Sequence, residues 1–303
     1  MAKTAALTGA TFLDPVVLAR ISNLELIART VVEGFINGLH HAPYLGLSMD
    51  FAAHRAYMPG DDIRRIDWRL FARSDRFYVK QFEADTNANF VVLLDVSRSM
   101  DYASSGISKF DYARYLAACL TYFSQKQRDR IGLITFAGDL IAHVPPSAKH
   151  LEEILYTLDR AKPAGEGTLL EPLRRLSEFF RRRSIVVLIS DFYEEPSAVM
   201  DALKYLKGRG NDVIVFHVLD PAELEFPFKE AMEFEDAESS ERMPVIPEQA
   251  RAQYQSLIQD HIETLGKRMA EQRIDYMQIN TATPLDFALF HYLSKREQLS
   301  RVR

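Results

Sequence analysis

The chain has 303 residues, 47% of them hydrophobic, enough for a large core and a length that suggests two domains. A formal charge of −5 argues against a general nucleic-acid binder, and a single cysteine, Cys119, excludes an intramolecular disulfide and any cysteine-based metal site. No uninterrupted apolar run approaches the ~20 residues of a membrane helix, and the N-terminus lacks a basic segment followed by a long apolar one, so a cytoplasmic protein without a membrane span is expected.

Asp14-Pro15 predicts a helix start, with apolar residues at Leu18, Ile21, Leu24, Ala28, Val31, Val32 and Phe35 marking one amphipathic helix to about Leu39. The stretch 46–60 reads as irregular or strand-like, with a turn at Pro59-Gly60-Asp61, and Phe77–Phe82 reads as a strand. Between them, arginines at 64, 65, 69, 73 and 76 alternate with Asp61, Asp62, Asp67 and Asp75 around Trp68 and Phe71. Mixed signs there suggest an ion-paired surface or a protein-contact face. A boundary near Asp85 is expected, with residues 1–85 forming a helix and strand/turn extension packed on a main domain over 86–303.

From Asn89 onward strands and helices alternate, the pattern of βαβ units and a parallel sheet. The spacing predicts a helix from Ser108 to about Arg128, then a hairpin of 131–136 with 140–144 that supplies one antiparallel edge strand. Helices over 148–159 and Leu169–Arg182, a strand at Ser184–Ser190, a helix from Pro196 to Gly208 and a strand at Val213–Val218 follow. The trio Arg181–Arg183 is expected to end a helix in solvent. Residues 221–247 break the alternation: they are acidic and proline-rich, yet Phe226, Phe228, Met232 and Phe234 predict a surface hairpin insertion with its apolar face folded back. A helix over 248–272, a strand over 276–280 and a helix over 285–295 complete the expected sheet.

The segment Asp95-Val-Ser97-Arg-Ser99 follows the apolar run Phe90–Leu94, which reads as a strand covered on both faces. Open α/β sheets place ligand sites beyond the carboxyl ends of such strands, and three oxygen donors at spacing two suit a hard cation. Turn-forming serines after a strand-ending Asp are the competing reading. Thr168 follows Gly165-Glu-Gly167 at a helix start, where it can equally form a capping box with Glu171. Asp191 ends a second buried strand, either as a metal-facing carboxylate or as an ordinary turn residue.

In that order, Asp95, Ser97, Ser99, Thr168 and Asp191 resemble the metal-ion-dependent adhesion site of von Willebrand A domains. The resemblance implies an α/β, doubly wound, mostly parallel sheet. It also implies Mg²⁺ (or Mn²⁺) held by Ser97, Ser99 and Thr168, with Asp95 and Asp191 bound directly or through water, and an open position filled by a partner's acidic residue. A second resemblance covers most of the chain. The segment Tyr57-Met-Pro59-Gly60-Asp61-Asp62-Ile-Arg64-Arg-Ile66-Asp67-Trp68, with Ala72-Arg73 and Val79-Lys80-Gln-Phe82-Glu83, is similar to the signature of the domain of unknown function 58 family. Arg29–Phe35, Gly38-Leu39-His40 and Asp50–Arg55 also resemble it. Glu166, between the two glycines, stands where an acidic neighbour could compete for the cation. This resemblance implies work with a MoxR-type AAA+ ATPase in assembly, maturation or regulation of other proteins, and with the adhesion-site likeness it points to a non-enzymatic interaction protein and, in addition, a client bearing an acidic ligand residue.

No Walker A loop, GxGxxG fingerprint, HExxH helix or GxSxG elbow occurs in the sequence, and the eight histidines are scattered. The alternative reading is a metal-dependent hydrolase or phosphotransferase in which Asp95 and Asp191 activate water. A nucleophilic Asp of the haloacid-dehalogenase kind would want a second acid at the position of Ser97. A purely structural polar cluster without an ion is the third possibility.

Overall fold

Asp14 accepts the Val16 amide at 2.8 Å and Pro15 takes the first helical position, but the helix they start, α1 (Pro15–Leu18), is one turn long. A new helix, α2 (Leu24–His41), begins where Asn23 Oδ1 accepts the Leu26 amide at 2.9 Å. The single helix expected from Asp14 to Leu39 is therefore two. An N-capping Asn inside the apolar period restarts the chain. A computed structural model describes residues 14–19, 21, 23–41, 54–56, 77–80, 88–104, 106–180 and 182–301. The arginine–aspartate cluster around Trp68, the turn at Pro59-Gly60-Asp61, residues 46–53 and the boundary near 85 lie outside the described residues, as does Arg181.

Two short strands, β1 (His54–Ala56) and β2 (Tyr78–Lys80), pair antiparallel with His54 opposite Lys80. The main sheet then begins with β3 (Asn89–Asp95), followed by a 3₁₀ turn (Arg98–Asp101), α3 (Lys109–Lys126), β4 (Arg130–Phe136) and β5 (Leu140–Ser147). Next come α4 (Leu151–Arg160), α5 (Leu170–Ser177), β6 (Ser184–Ser190), α6 (Pro196–Lys207) and β7 (Asp212–Leu219). The chain ends through α7 (Pro221–Glu225), β8 (Met232–Glu235), β9 (Arg242–Val245), α8 (Pro247–Glu271), β10 (Asp275–Asn280) and α9 (Leu285–Arg301).

The six strands lie in the order β10-β7-β6-β3-β4-β5, all parallel except the β4–β5 pair. The expected mostly parallel sheet with one antiparallel edge strand is the observed one. Pro145 and Pro146 are accommodated in β5 because its outer side pairs with no strand among the described residues.

Both faces of the sheet are buried, which is why its strands read as continuous apolar runs. Phe90, Val92 and Leu94 of β3 join Ile185, Val187 and Ile189 of β6 in one core, against α2, α3, α4 and α9. Val91 and Leu93, with Val186 and Leu188, face the other core, under α5, α6 and α8. Leu24, Ile27, Ala28, Val31, Val32 and Phe35 of α2 belong to the first core. Helix α5 stops at Ser177, short of the expected Arg182, because the chain must turn back to start β6; Arg183 pairs instead with Asp212 at 2.8 Å, at the start of β7.

The topology also fixes where a site can form. β4 lies on one side of β3 and β6 on the other, so successive crossovers leave β3 in opposite directions. The crevice beyond the carboxyl ends of β3 and β6 is the switch point of the sheet, where open α/β folds bind ligands.

Candidate functional site

β3 and β6 end in register, Leu94 opposite Ile189, so Asp95 and Ser190-Asp191 leave the sheet at one edge. Asp95 is 2% exposed, its Oδ1 accepting the Ser97 amide at 2.9 Å and its Oδ2 the Ser190 hydroxyl at 2.6 Å. The first bond is an Asx turn, which curls the chain immediately after the strand. It brings the Ser97 and Ser99 hydroxyls within 3.1 Å of each other. Adjacent ligands of an octahedral Mg²⁺, at bonds of ~2.1 Å, lie roughly 3 Å apart, so this spacing suits two neighbouring ligand positions.

Electrostatics point the same way. Burial, then the negative charge of Asp191, pushes the Asp95 carboxyl up to about 7, despite the hydrogen bonds from Ser190 and Ser97 that favour its ionised form. Two carboxylates thus share a buried edge with incomplete compensation, a situation a divalent cation relieves. Among the described residues no group of three His, Cys, Asp or Glu side chains converges to hold a metal, so a cation here would rest largely on hydroxyls. The residues present fit such an ion.

Asp191 is held from behind. Lys109, fully buried in the first turn of α3, donates to Asp191 Oδ2 at 2.9 Å and to Glu223 Oε1 at 2.7 Å, and its Nζ lies 4.5 Å from the centre of the Tyr193 ring. Burial alone would lower the lysine, but the two carboxylates hold it above its ordinary value. Glu223 is itself fixed by α7, whose capping box joins it reciprocally to Asp220. Asp220 also accepts from the Ser104 amide at 2.9 Å and from the Ser104 hydroxyl, tying the loop after the 3₁₀ turn to the end of β7.

Phe192, next to Asp191, takes a left-handed backbone with φ 47°. Ser190 Oγ accepts its amide at 3.2 Å, its carbonyl lies 2.8 Å from His261 Nε2, and its ring packs edge-on to His217. A non-glycine residue in that region stores strain and persists only when its surroundings impose it.

The Gly-rich loop approaches from the side: the Ala164 amide donates to Val96 O at 2.7 Å and the Arg98 amide to Gly165 O at 3.2 Å. Thr168 itself is exposed, with its hydroxyl toward Gly138, and its neighbours Gly167 and Leu169, not Thr168, line the cleft. The capping box weighed for Thr168 and Glu171 does not form. Leu169 occupies the cap position and its amide donates to Glu194 at 2.7 Å, while Glu171 pairs with Arg174 at 2.7 Å. Glu194, from the loop after β6, thus reaches across to the backbone at the start of the helix.

The structure therefore brings Asp95, Ser97, Ser99 and Asp191 together, with Thr168 alongside. Sequence reading missed Ser190, Lys109, Glu223 and Glu194 as partners of the site. For Lys109 a signal existed: a cation in the first turn of an apolar helix opposes the helix dipole. Glu223 carries only the local Asp-x-x-Glu capping pattern with Asp220, and Glu194 no such pattern, since their partners at the site are remote in sequence.

A doubly wound sheet of this order, with hydroxyls and carboxylates at its switch point, defines an α/β domain of the von Willebrand A type. The chain belongs to the protein family of unknown function DUF58, which matches residues 53–264. Uncharacterized proteins of Mycobacterium bovis and Mycobacterium tuberculosis are each 32% identical to it over 231 residues, 75% of this chain and 72% of theirs. Among solved structures, the conserved hypothetical protein BatB from Bacteroides thetaiotaomicron is similar with TM-score 0.46 and 16% identity, over 70% of this chain and 99% of its own. The SpRpn10 VWA domain has TM-score 0.43 and 12% identity, over 66% and 92%. Likeness at that level adds nothing to the sheet order of the chain itself. No helix among the described residues is long and apolar enough to cross a membrane.

Proposed function

We propose that this protein is a non-enzymatic, cation-dependent protein-interaction module of the cytoplasm, whose partner is a MoxR-type AAA+ ATPase and whose site also accepts an acidic residue of a client protein. The observation that carries the reading is the pair of hydroxyls, Ser97 and Ser99, 3.1 Å apart beside the buried Asp95. Ser97 and Ser99 would hold Mg²⁺ or Mn²⁺, with Thr168 joining them once its hydroxyl turns in from Gly138, and with Asp95 and Asp191 neutralising the ion directly or through water. Such an ion, under-neutralised by mostly neutral ligands, supplies an open coordination position for an incoming carboxylate. Asp95 orients the loop through the Ser97 amide and Ser190, and Lys109 keeps Asp191 aimed at the edge.

Two features favour binding over hydrolysis. Both Asp95 oxygens already accept hydrogen bonds, and the side chain is only 2% exposed at the floor of the cleft, an arrangement that suits a held ligand better than a nucleophile that must reach a substrate. Calorimetry should detect Mg²⁺ or Mn²⁺ binding that is lost in Asp95→Ala. A pull-down with the AAA+ ATPase encoded nearest in the same genome should retain the partner in Mg²⁺ and lose it in EDTA or with Asp95→Ala. Retention under all of these conditions would remove the cation from the interaction, and turnover of model phosphate esters would favour the hydrolase.

A further inference from the structure

The acidic turn between β8 and β9 reaches back over the crevice. Asp236 stiffens it, its Oδ1 accepting the amides of Glu238 at 2.9 Å and Ser239 at 2.6 Å, while its own amide donates to Glu241 O at 2.8 Å. The turn presents Glu238 to the site loop, where Oε1 accepts the Gly167 amide at 2.7 Å. Gly167 marks how closely these groups converge. A Cβ at that position would lie 2.7 Å from Glu238 Oε1 and 3.3 Å from Ser97 Oγ. The Glu238 carboxylate and the Ser97 hydroxyl thus both crowd the space beside Gly167.

Among the described residues no lysine or arginine pairs with the Glu238 carboxylate, and burial together with the charges of Asp191, Asp236 and Glu166 pushes it above the usual carboxylate range, although the Gly167 hydrogen bond opposes the rise. An acidic side chain seated among other acidic side chains is costly unless something positive joins them. Beneath the hairpin lies a cleft of about 620 Å³ whose floor includes Asp95 and Asp191 and whose wall includes Phe226, Phe234 and Tyr254.

We infer that Glu238 is the chain's own occupant of the acidic-ligand position, and that a partner's carboxylate binds by displacing it. The inference rests on the cation site proposed above and adds the partner's chemistry. Displacement frees the Gly167 amide for the incoming carboxylate and leaves the Phe226–Phe234–Tyr254 wall beside it. The matching partner segment therefore carries an Asp or Glu next to a bulky apolar side chain. Repulsion from the rest of the acidic hairpin selects against ligands with several acidic residues in a row.

The test uses the full chain with Mn²⁺ as the probe and acetate as the model carboxylate, read by water-proton relaxation. Mn²⁺ bound to Glu238→Ala or Glu238→Gln should carry an additional exchangeable water and relax solvent faster than the wild-type complex. Acetate should suppress that gain, with apparent affinity at least about tenfold tighter for the variants, because a tethered competitor acts at an effective concentration in the mM range or above. Glu238→Gln keeps an acceptor for the Gly167 amide, so it reads the lost charge even where Glu238→Ala loosens the turn. Equal relaxation and equal acetate response in all three proteins, with Mn²⁺ bound in each, would overturn displacement and leave the cation site standing. Absence of Mn²⁺ binding in all three would remove the cation site and this inference with it.

Discussion

Lys109 begins α3 where the helix dipole disfavours a cation, yet its ammonium is fully buried between Asp191 and Glu223. Its burial is tolerated because two carboxylates compensate it, and they in turn depend on it. Lys109→Met should therefore destabilise the fold by about 3–5 kcal/mol in urea denaturation, since it leaves two buried acids without a partner. A loss under ~1 kcal/mol would mean that the acids find another cation or become protonated. Asp95 makes the opposite contribution. Its folded value near 7 lies above the ~3.9 of an unfolded aspartate, so the folded state holds the proton more tightly. The associated stability is present below about pH 4 and is lost as pH rises through about 7. In EDTA the urea midpoint should fall between pH 5 and pH 8, and Asp95→Asn should flatten that fall.

At the scale of elements, α2 and the β8–β9 hairpin are attached by different means. Helix α2 lays Ile27, Ala28, Val31 and Val32, each at most 1% exposed, into the core shared with α3 and the sheet. Ile27→Ala should cost about 2–5 kcal/mol, and an unchanged unfolding midpoint would show that α2 contributes no core packing. The hairpin rests on a small aromatic cluster, with Phe226 and Phe234 stacked at 5.8 Å and Phe226 4.8 Å from Tyr254. Arg251 ties its root by donating to Phe228 O at 2.6 Å. Phe234→Ala should raise amide exchange across 232–245 without a comparable rise in the central strands, because local opening follows the loss of those few contacts. Uniform acceleration throughout the sheet would instead make the hairpin part of the cooperative core.

For the molecule as a whole, the proposed cation binding would be linked to folding, since the hydroxyls and carboxylates of the site converge only in the folded chain. Mn²⁺ at a hundred times its dissociation constant should stabilise the protein by about 2.7 kcal/mol, and Asp95→Ala should abolish that gain. Stabilisation that persists in Asp95→Ala would place the ion elsewhere. The closeness of Gly167 to two oxygen-bearing side chains predicts a related effect. Gly167→Ala should displace Glu238 and Ser97 together, weakening cation binding with little change in the melting temperature of the cation-free protein.

Much of this architecture was legible in the sequence because its causes are local. Continuous apolar runs over 90–94 and 185–189 define strands buried on both faces, and the Asp95–Ser99 spacing defines an Asx turn that gathers two hydroxyls. Ser108 and Pro196 mark helix starts through their own chemistry, whereas the cap at Asn23 is hidden by the apolar period that runs through it. Other features needed the tertiary structure. Whether Asp191 meets Asp95 depends on β6 returning beside β3 on the side away from β4, a pairing that no local period encodes. Lys109 and Asp191 are 82 residues apart and Glu238 and Gly167 are 71 apart, so only chain closure brings each pair into contact. The residue types of the site were thus set by sequence, whereas its charge balance and the carboxylate that covers it were decided by long-range packing.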